Sequence, residues 1–230
     1  MTTADLRPQD DYWEKLFVSR PWGAYPPEEL VRFMGRNFGS EPIKSLVKVL
    51  EIGCGPGPNI WFLVRQGYSV CGIDGSPTAI AQARERLVSE GLPSEEPQVK
   101  LMVGNFVDLP YASESFDAVV DVESLYANSL ADIRTSIGEI WRTLKPGGRF
   151  FGKLFGSATS GSTSGEQIEP GTYRKPQYGP CIGNELAHFF SRDEFEPLFS
   201  EFSDLDIDHI CRTDGNGKIE IFEWLVIATK

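Results

Sequence analysis

Histidines, paired cysteines, long apolar runs and positive charge are all scarce in this chain of 230 residues. The two histidines, His188 and His209, stand in no metal-ligand cluster, so a bound metal has little to hold it. The four cysteines, Cys54, Cys71, Cys181 and Cys211, are scattered and form no C-x-x-C. That spacing fits reduced thiols in a cytoplasmic protein, with a Cys54–Cys71 disulfide as the alternative. No apolar run approaches the roughly 18–20 residues of a membrane span. The N-terminus, "MTTADLRPQDDYWEK", is polar and acidic, unlike a secretory signal. Lysine and arginine number 22 against 33 acids, for a net charge of −11. Such a chain repels polyphosphate, which excludes nucleic acid as a partner and favours a small molecule or a protein.

What is present is an alternation of strands and helices. An arm over residues 1–45 comes first, rich in aromatics and prolines, "DYWEKLFVSRPWGAYPPEELVRFMGRNFG". Pro26, Pro27, Glu28 and Glu29 suit the first turn of a helix, where proline loses no hydrogen bond and acids meet the dipole. That helix is expected to run to Phe38, with Gly39 ending it. From Leu46, "LVKVLEIG" reads as a strand buried on both faces. Helix "NIWFLVRQ" and strand "YSVCGID" follow. Ser76-Pro77 then caps a helix carrying Ile80, Ala83 and Leu87 on one stripe, ended by Gly91. "VKLMVG" and "FDAVVDV" are strands, "ADIRTSIGEIWRTL" is a helix stopped by "KPGG", and "RFFGKLF" is a fifth strand. Strands alternating with helices imply right-handed crossovers and a parallel sheet.

The C-terminal third changes character. Ser191 and Glu194 make a capping box for the helix "SRDEFEPLF". Two strands, about 202–211 and 218–229, flank the turn sequence "RTDGNG" and form an antiparallel edge. Residues 156–187 are too long for an ordinary connection. Tyr173, Tyr178, Arg174, Lys175 and Ile182 give this segment anchors, so it reads as a lid or substrate loop.

The stretch "VLEIGCGPGPN", starting at Val49, carries the chemistry. Glycines after a strand let backbone approach a ligand closely. Gly53, Gly55 and Gly57 begin a dinucleotide fingerprint, but Pro58 replaces its last glycine, and no Gly-Lys-Ser/Thr marks a P-loop. Glu51 stands two residues before the first glycine, where it would repel a pyrophosphate. Asp74 ends the next strand, and a carboxylate there can accept both hydroxyls of a ribose. Asn105 either bonds an adenine edge or is a turn residue, and the Phe106 N–H can serve a ring nitrogen.

"LEIGCGPG", the strand-end Asp74, "LP…SFDAVV" and "LKPGG" resemble, in order and spacing, the motifs of class I S-adenosylmethionine-dependent methyltransferases. The resemblance covers about 47–155 and implies an α/β, Rossmann-like, seven-stranded, mostly parallel sheet. Its order would be 3-2-1-4-5-7-6, with strand 7 antiparallel and helices on both faces, making 46–230 the methyltransferase domain. It implies S-adenosyl-L-methionine as cofactor and S-adenosyl-L-homocysteine as product. Glu51, Gly53, Gly55 and Gly57 would shape the methionine pocket. Asp74 would take the ribose hydroxyls, and Asn105 and Phe106 the adenine, with Cys54, Asn59, Gly75 and Ser76 also binding the cofactor. Asp121, Val122 and Glu123 would line the methyl-donor end. Many relatives have Asp at the Asn105 position. The arm is similar to N-terminal segments of small-molecule methyltransferases, in which a Pro-Trp element folds over the cofactor. Trp22, Gly23 and Tyr25 are therefore expected to cap the site, against a reading in which Trp13 and Trp22 only pack the arm on the sheet.

Methyl transfer from a sulfonium needs alignment first, and a base only for a hydroxyl or unactivated carbon. Candidate bases are Glu123, Tyr126, Tyr173 and His188, with His188 either facing the pocket or packed structurally. No Asn/Asp-Pro-Pro-Tyr/Phe sequence occurs, which argues against the DNA-base and glutamine methylation that this signature marks in relatives. The expectation is a cytoplasmic methyltransferase, monomer or homodimer, acting on a small molecule, oxygen acceptors ahead of nitrogen. The alternatives are a protein methyltransferase and a non-catalytic S-adenosylmethionine-binding protein.

Overall fold

The computed structural model describes residues 8–230. The first seven residues of the polar N-terminus, and the arm reading that falls on them, lie outside the described residues. Six helices and ten strands follow in chain order. The helices are α1 (Pro8–Ser19), α2 (Glu28–Phe38), α3 (Pro58–Arg65), α4 (Pro77–Ser89), α5 (Leu130–Thr143) and α6 (Phe195–Leu198). The strands are β1 (Lys48–Ile52), β2 (Ser69–Asp74), β3 (Val99–Val103), β4 (Phe116–Val122) and β5 (Leu144–Phe155). β6 (Glu166–Glu169), β7 (Thr172–Arg174), β8 (Ala187–His188), β9 (Asp204–Asp214) and β10 (Ile219–Thr229) complete the set.

Seven strands form one sheet in the order β3-β2-β1-β4-β5-β10-β9. The first five are parallel, and β10 runs antiparallel to both β5 and β9. Counting only these strands, the order is the expected 3-2-1-4-5-7-6, a Rossmann-like α/β sheet. Successive side chains point to opposite faces of a strand, and here both faces are covered. On one face Val49, Val70, Ala118, Val120 and Phe151 pack against Leu30, Phe33 and Met34 of α2, Ile60 and Leu63 of α3, and Ala83 and Leu87 of α4. On the other, Leu50, Ile52, Val119, Phe150 and Leu154 meet Ile133, Ile137 and Ile140 of α5, with Phe190, Phe195 and Phe199 beyond. A sheet buried on both faces explains the near-continuous apolar runs of its central strands.

The local signals act as the residues suggest. The Ser76 hydroxyl accepts the Ala79 N–H at the start of α4. The Ser191/Glu194 capping box forms, although a 3₁₀ turn over Arg192–Glu194 precedes α6. Two expectations need correction. β9 does not stop at Cys211 but pairs on to Asp214 opposite Ile219. Gly215, Asn216 and Gly217 all take positive φ and with Lys218 make the turn, which leaves Arg212 in the strand. α1 carries no helix signal strong enough to be read from the arm. It forms because Trp13 and Phe17, one turn apart, share a face and pack into an aromatic group with Trp22.

Residues 156–187 are not an open loop. β6, β7 and β8 pair antiparallel into a small second sheet. Ser160 N–H donates to Glu220 O, and the Tyr178 hydroxyl donates to Lys218 O, tying the segment to the β9–β10 hairpin. All four cysteines are free thiols, so the Cys54–Cys71 disulfide does not form. Among the described residues no helix is long and apolar enough to cross a membrane.

Candidate active site

The cavity lies where the C-terminal ends of the parallel strands meet the arm, the usual ligand position in open α/β sheets. Its volume is 440 Å³, inside the roughly 300–1,000 Å³ typical of small-molecule sites. Its floor is the glycine turn after β1. Gly53, Gly55 and Gly57 all have positive φ. The turn is held by hydrogen bonds from Cys54 N–H to Ile73 O (3.1 Å) and from Gly55 N–H to Asp74 Oδ2 (2.8 Å). A side chain at Gly53 would collide with Ser124, and a Cβ at Gly57 would sit 2.7 Å from Ala83 Cβ. Gly53 and Gly57 are therefore required by close packing as well as by backbone conformation, and Gly55 by backbone conformation alone.

Two acids define the polar ends of the floor. Glu51, on β1, is 1% exposed. Its Oε1 accepts from the Asn59 amide at 2.6 Å, while Glu51 Oε2 and Asn59 Oδ1 have no partner. Burial pushes the Glu51 carboxyl well above its ordinary range, against the pull of the Asn59 amide, and the nearby Asp121 and Asp74 charges push the same way. Two unpartnered buried acceptor oxygens make a socket for a multivalent N–H donor, and a cation there would draw the carboxyl into its ionised form. Asp74, at the end of β2, accepts one N–H on each oxygen, from Gly55 and from Ser76 (2.8 Å each). A carboxylate has about four acceptor positions, so two remain for a vicinal diol. Burial raises Asp74 to about 6 despite those two N–H donors.

The arm roofs this floor. Gln9, Asp10, Trp13, Phe17, Trp22, Gly23 and Tyr25 all line the cavity. Glu14 anchors α1 by accepting from the Ser76 hydroxyl, from Thr78 N–H (3.1 Å) and from the Thr78 hydroxyl (2.6 Å). Of the residues expected to hold the cofactor, Trp22, Tyr25, Glu51, Gly53, Cys54, Gly55, Asn59, Asp74, Gly75 and Phe106 line the cavity. Four do not. Ser76 is fully buried, its hydroxyl spent on the α4 cap and on Glu14. Gly57 is the N-cap of α3 and packs on α4. Asn105 Oδ1 accepts from Val107 N–H (3.0 Å), which makes it a turn residue. Asp121 lies beneath the floor, where Oδ1 accepts from the Ser124 hydroxyl and the Ser124 and Leu125 N–H groups. Burial lifts its carboxyl to about 7.

The candidate bases fare differently from one another. Glu123, with Val122, Ser124, Ala127 and Asn128, lines the cavity beyond β4. Its backbone takes a left-handed φ of 58°, a strained state for a non-glycine residue that is typical of functional sites. Lys153 of β5 holds its carboxylate at 2.6 Å. Burial alone would raise Glu123, but the Lys153 ammonium, a hydrogen bond with Glu223 and the Arg212 charge together outweigh it and keep the group below its usual range. His188 is a correction: it is fully buried and does not line the cavity. Its Nδ1 is 2.7 Å from the Thr172 hydroxyl and its Nε2 is 3.0 Å from Glu194 Oε1, so neither nitrogen is available as a base. Tyr126 is corrected too. Its buried hydroxyl accepts from the Asn184 amide at 2.8 Å, its ring packs on Phe155, and burial raises the phenol well above its ordinary value. Neither Tyr126 nor Tyr173 reaches the cavity wall.

The sequence marks residues 1–45 as a helical arm capping the site, but it does not mark the helix α1 within that arm, nor Arg212, which lines the cavity from β9. A Trp13/Phe17 pair with Glu14 between them was the available signal for α1. For Arg212 there was none, because only the continued pairing of β9 places it there.

The strand order, with the glycine turn after β1 and Asp74 at the end of β2, is that of the Rossmann-like methyltransferase fold. Residues 49–148 match the family described as a methyltransferase domain. Over that segment the chain resembles the S-adenosylmethionine-dependent methyltransferases. It is similar to methyltransferase GfsG of Streptomyces halstedii, 38% identical over 103 residues, which cover 44% of this chain and 35% of that protein. It is also similar to the O-methyltransferase resE of Aspergillus sclerotiorum, 31% identical over 140 residues, 60% of this chain and 49% of that one. It thus spans about half or less of the length of these curated relatives. Among solved structures it resembles a SAM-dependent methyltransferase from Methanosarcina mazei. That match has a TM-score of 0.66 and 28% identity, over 80% of this chain and 92% of that one.

Proposed function

We propose that this protein transfers the methyl group of S-adenosylmethionine to a small molecule. The observation that carries the proposal is the pair of unpartnered buried oxygens, Glu51 Oε2 and Asn59 Oδ1, beside the glycine turn. They fit an α-ammonium group and would reject a phosphate. The bound cofactor supplies an activated methyl, whose bond to sulfur breaks as a bond to the acceptor oxygen or nitrogen forms and the acceptor sheds a proton.

The chain's own residues bind, align and exclude water. Glu51 and Asn59 hold the amino-acid end, Asp74 takes the ribose hydroxyls, and Phe106 packs an apolar wall on the base. Trp13, Phe17, Trp22 and Tyr25 close the roof, and holding both reactants in line is worth roughly 7–11 kcal/mol in the best cases. Glu123 is the one expected catalytic candidate on the cavity wall, where its ionised carboxylate accepts the acceptor's O–H or N–H and orients it. An oxygen acceptor is favoured because Glu123 is also placed to take the departing proton. The four free thiols support a reducing, cytoplasmic setting.

A screen for S-adenosylhomocysteine release over phenols, sugars, amines and peptides tests this reading. Turnover of a small hydroxyl compound is the expected result. Turnover of peptides alone would replace the small-molecule reading by a protein-methylating one, and cofactor binding without any turnover would favour the non-catalytic reading.

A further inference from the structure

Four neighbouring strands each contribute one charged side chain to a chain of contacts along the rim of the sheet. Glu123, beyond β4, meets Lys153 of β5 at 2.6 Å; Lys153 meets Glu223 of β10 at 2.7 Å; the second oxygen of Glu223 lies 3.5 Å from Arg212 Nε of β9. The middle is dry, with Lys153 at 6% and Glu223 at 0% side-chain exposure, while Glu123 is 30% and Arg212 52% exposed. Both open ends, Glu123 and Arg212, line the cavity.

Arg212 is the only Lys, Arg or His side chain on the cavity wall among the described residues. It comes from the edge strand, three strand spacings or roughly 14 Å from β4, on the opposite side of Glu123 from Asp74. Glu223 lies 3.5 Å from its Nε without a hydrogen bond, the Arg212 charge also acts on Glu123, and its two terminal nitrogens make no hydrogen bond among the described residues. Those nitrogens form the fork that matches carboxylate and phosphate oxygens. Lys153 already neutralises one carboxylate of the chain, and burial together with the Glu123 charge pushes Glu223 up to about 7, so the Arg212 charge is not fully cancelled.

We propose that Arg212 anchors the methyl acceptor, and that this acceptor carries an anionic oxygen group, a carboxylate or phosphate, at the end remote from the atom methylated. Glu123 and Arg212 then present the acceptor with a hydrogen-bond acceptor at one end and a cationic fork at the other. This rests on the methyl-transfer reading above.

The test uses the full chain saturated with S-adenosylhomocysteine and four probes on one scaffold: benzoate, phenyl phosphate, benzyl alcohol and benzylamine. Ligand-detected NMR titration is expected to show benzoate or phenyl phosphate binding more tightly than the neutral and cationic probes. R212Q should weaken the anionic probe about tenfold, and R212K should fall between, since it keeps the charge and loses the fork. Affinity for S-adenosylhomocysteine, measured on the same proteins by calorimetry, should stay within twofold. Equal probe binding in wild type and R212Q, tighter binding of benzylamine, or a large fall in S-adenosylhomocysteine affinity would each overturn the inference. The last would assign Arg212 to the cofactor's own carboxylate. Failure of S-adenosylhomocysteine to bind the wild type would overturn the methyltransferase reading itself.

Discussion

At the residue scale the account turns on carboxylates whose partners differ. Asp74 has spare acceptor positions, so Asp74→Asn should weaken S-adenosylhomocysteine binding roughly 10- to 100-fold, as charge-assisted hydrogen bonds are worth about 1.5–3 kcal/mol. Calorimetry measures this directly, and an unchanged affinity would remove Asp74 from the site. Its raised value also sets a pH dependence. In the ligand-free protein Asp74 is protonated below about 6 and ionised above, and ribose hydroxyls donate to the ionised form. Affinity should therefore fall as pH drops through about 6, with proton release on binding near that pH, seen as heats that vary with buffer ionisation enthalpy. The sign for stability is opposite. A carboxylate raised from 3.8 to about 6 disfavours the ligand-free fold as pH rises across that window and adds nothing further above it. His188 belongs to the fold. His188→Ala opens a cavity and takes one partner each from the Thr172 hydroxyl and Glu194 Oε1, which keep Glu169 and Ser191, and should cost about 2–4 kcal/mol, a melting decrease of roughly 5–15 °C for a chain of this size, with cofactor affinity intact. Loss of affinity without loss of stability would return His188 to the site. The places of Glu51 and Asp74 on the cavity wall were legible because they follow from position beside a strand end. His188 and Tyr126 were not, because only tertiary pairing, β7 against β8 and Asn184 against Tyr126, decides whether a polar side chain faces a cavity or a neighbour.

At the element scale the arm is a roof tied down at Tyr12, Phe17 and Ala24, with Glu14 as its principal latch. Glu14 accepts three hydrogen bonds from the first turn of α4 without itself lining the cavity. Glu14→Ala should loosen α1, speed proteolysis of the arm, and weaken S-adenosylhomocysteine binding about fivefold or more, since each hydrogen bond contributes roughly 0.5–1.5 kcal/mol net. Bound S-adenosylhomocysteine should slow the cleavage. Cleavage at the wild-type rate, unaffected by ligand, would show that α1 does not close the site. The sequence marks α2 plainly, through Pro26-Pro27 and the acids that follow, but not α1, whose apolar face exists only against Trp22 and the pocket. The segment 156–187 reads as a lid or substrate loop, but none of its residues lines the cavity, and it folds against the β9–β10 hairpin instead. Its small sheet escaped notice because strands of two to four residues carry no resolvable period.

At the scale of the whole molecule, strand order was legible because long apolar strands, capped helices and the terminal hairpin are each local signals, and crossover handedness leaves few ways to assemble them. The acceptor end was not, because it is composed across β4, β5, β10 and β9 from residues a hundred positions apart. The central claim is that the cavity is built for a nucleoside bearing a cationic amino acid and not for a nucleotide phosphate. Calorimetric titration of the full chain near neutral pH with S-adenosylmethionine, S-adenosylhomocysteine and ATP tests it most directly. Micromolar binding of the first two with none for ATP is the predicted result. Binding of ATP in the same range, or no binding of either sulfur nucleoside, would contradict it.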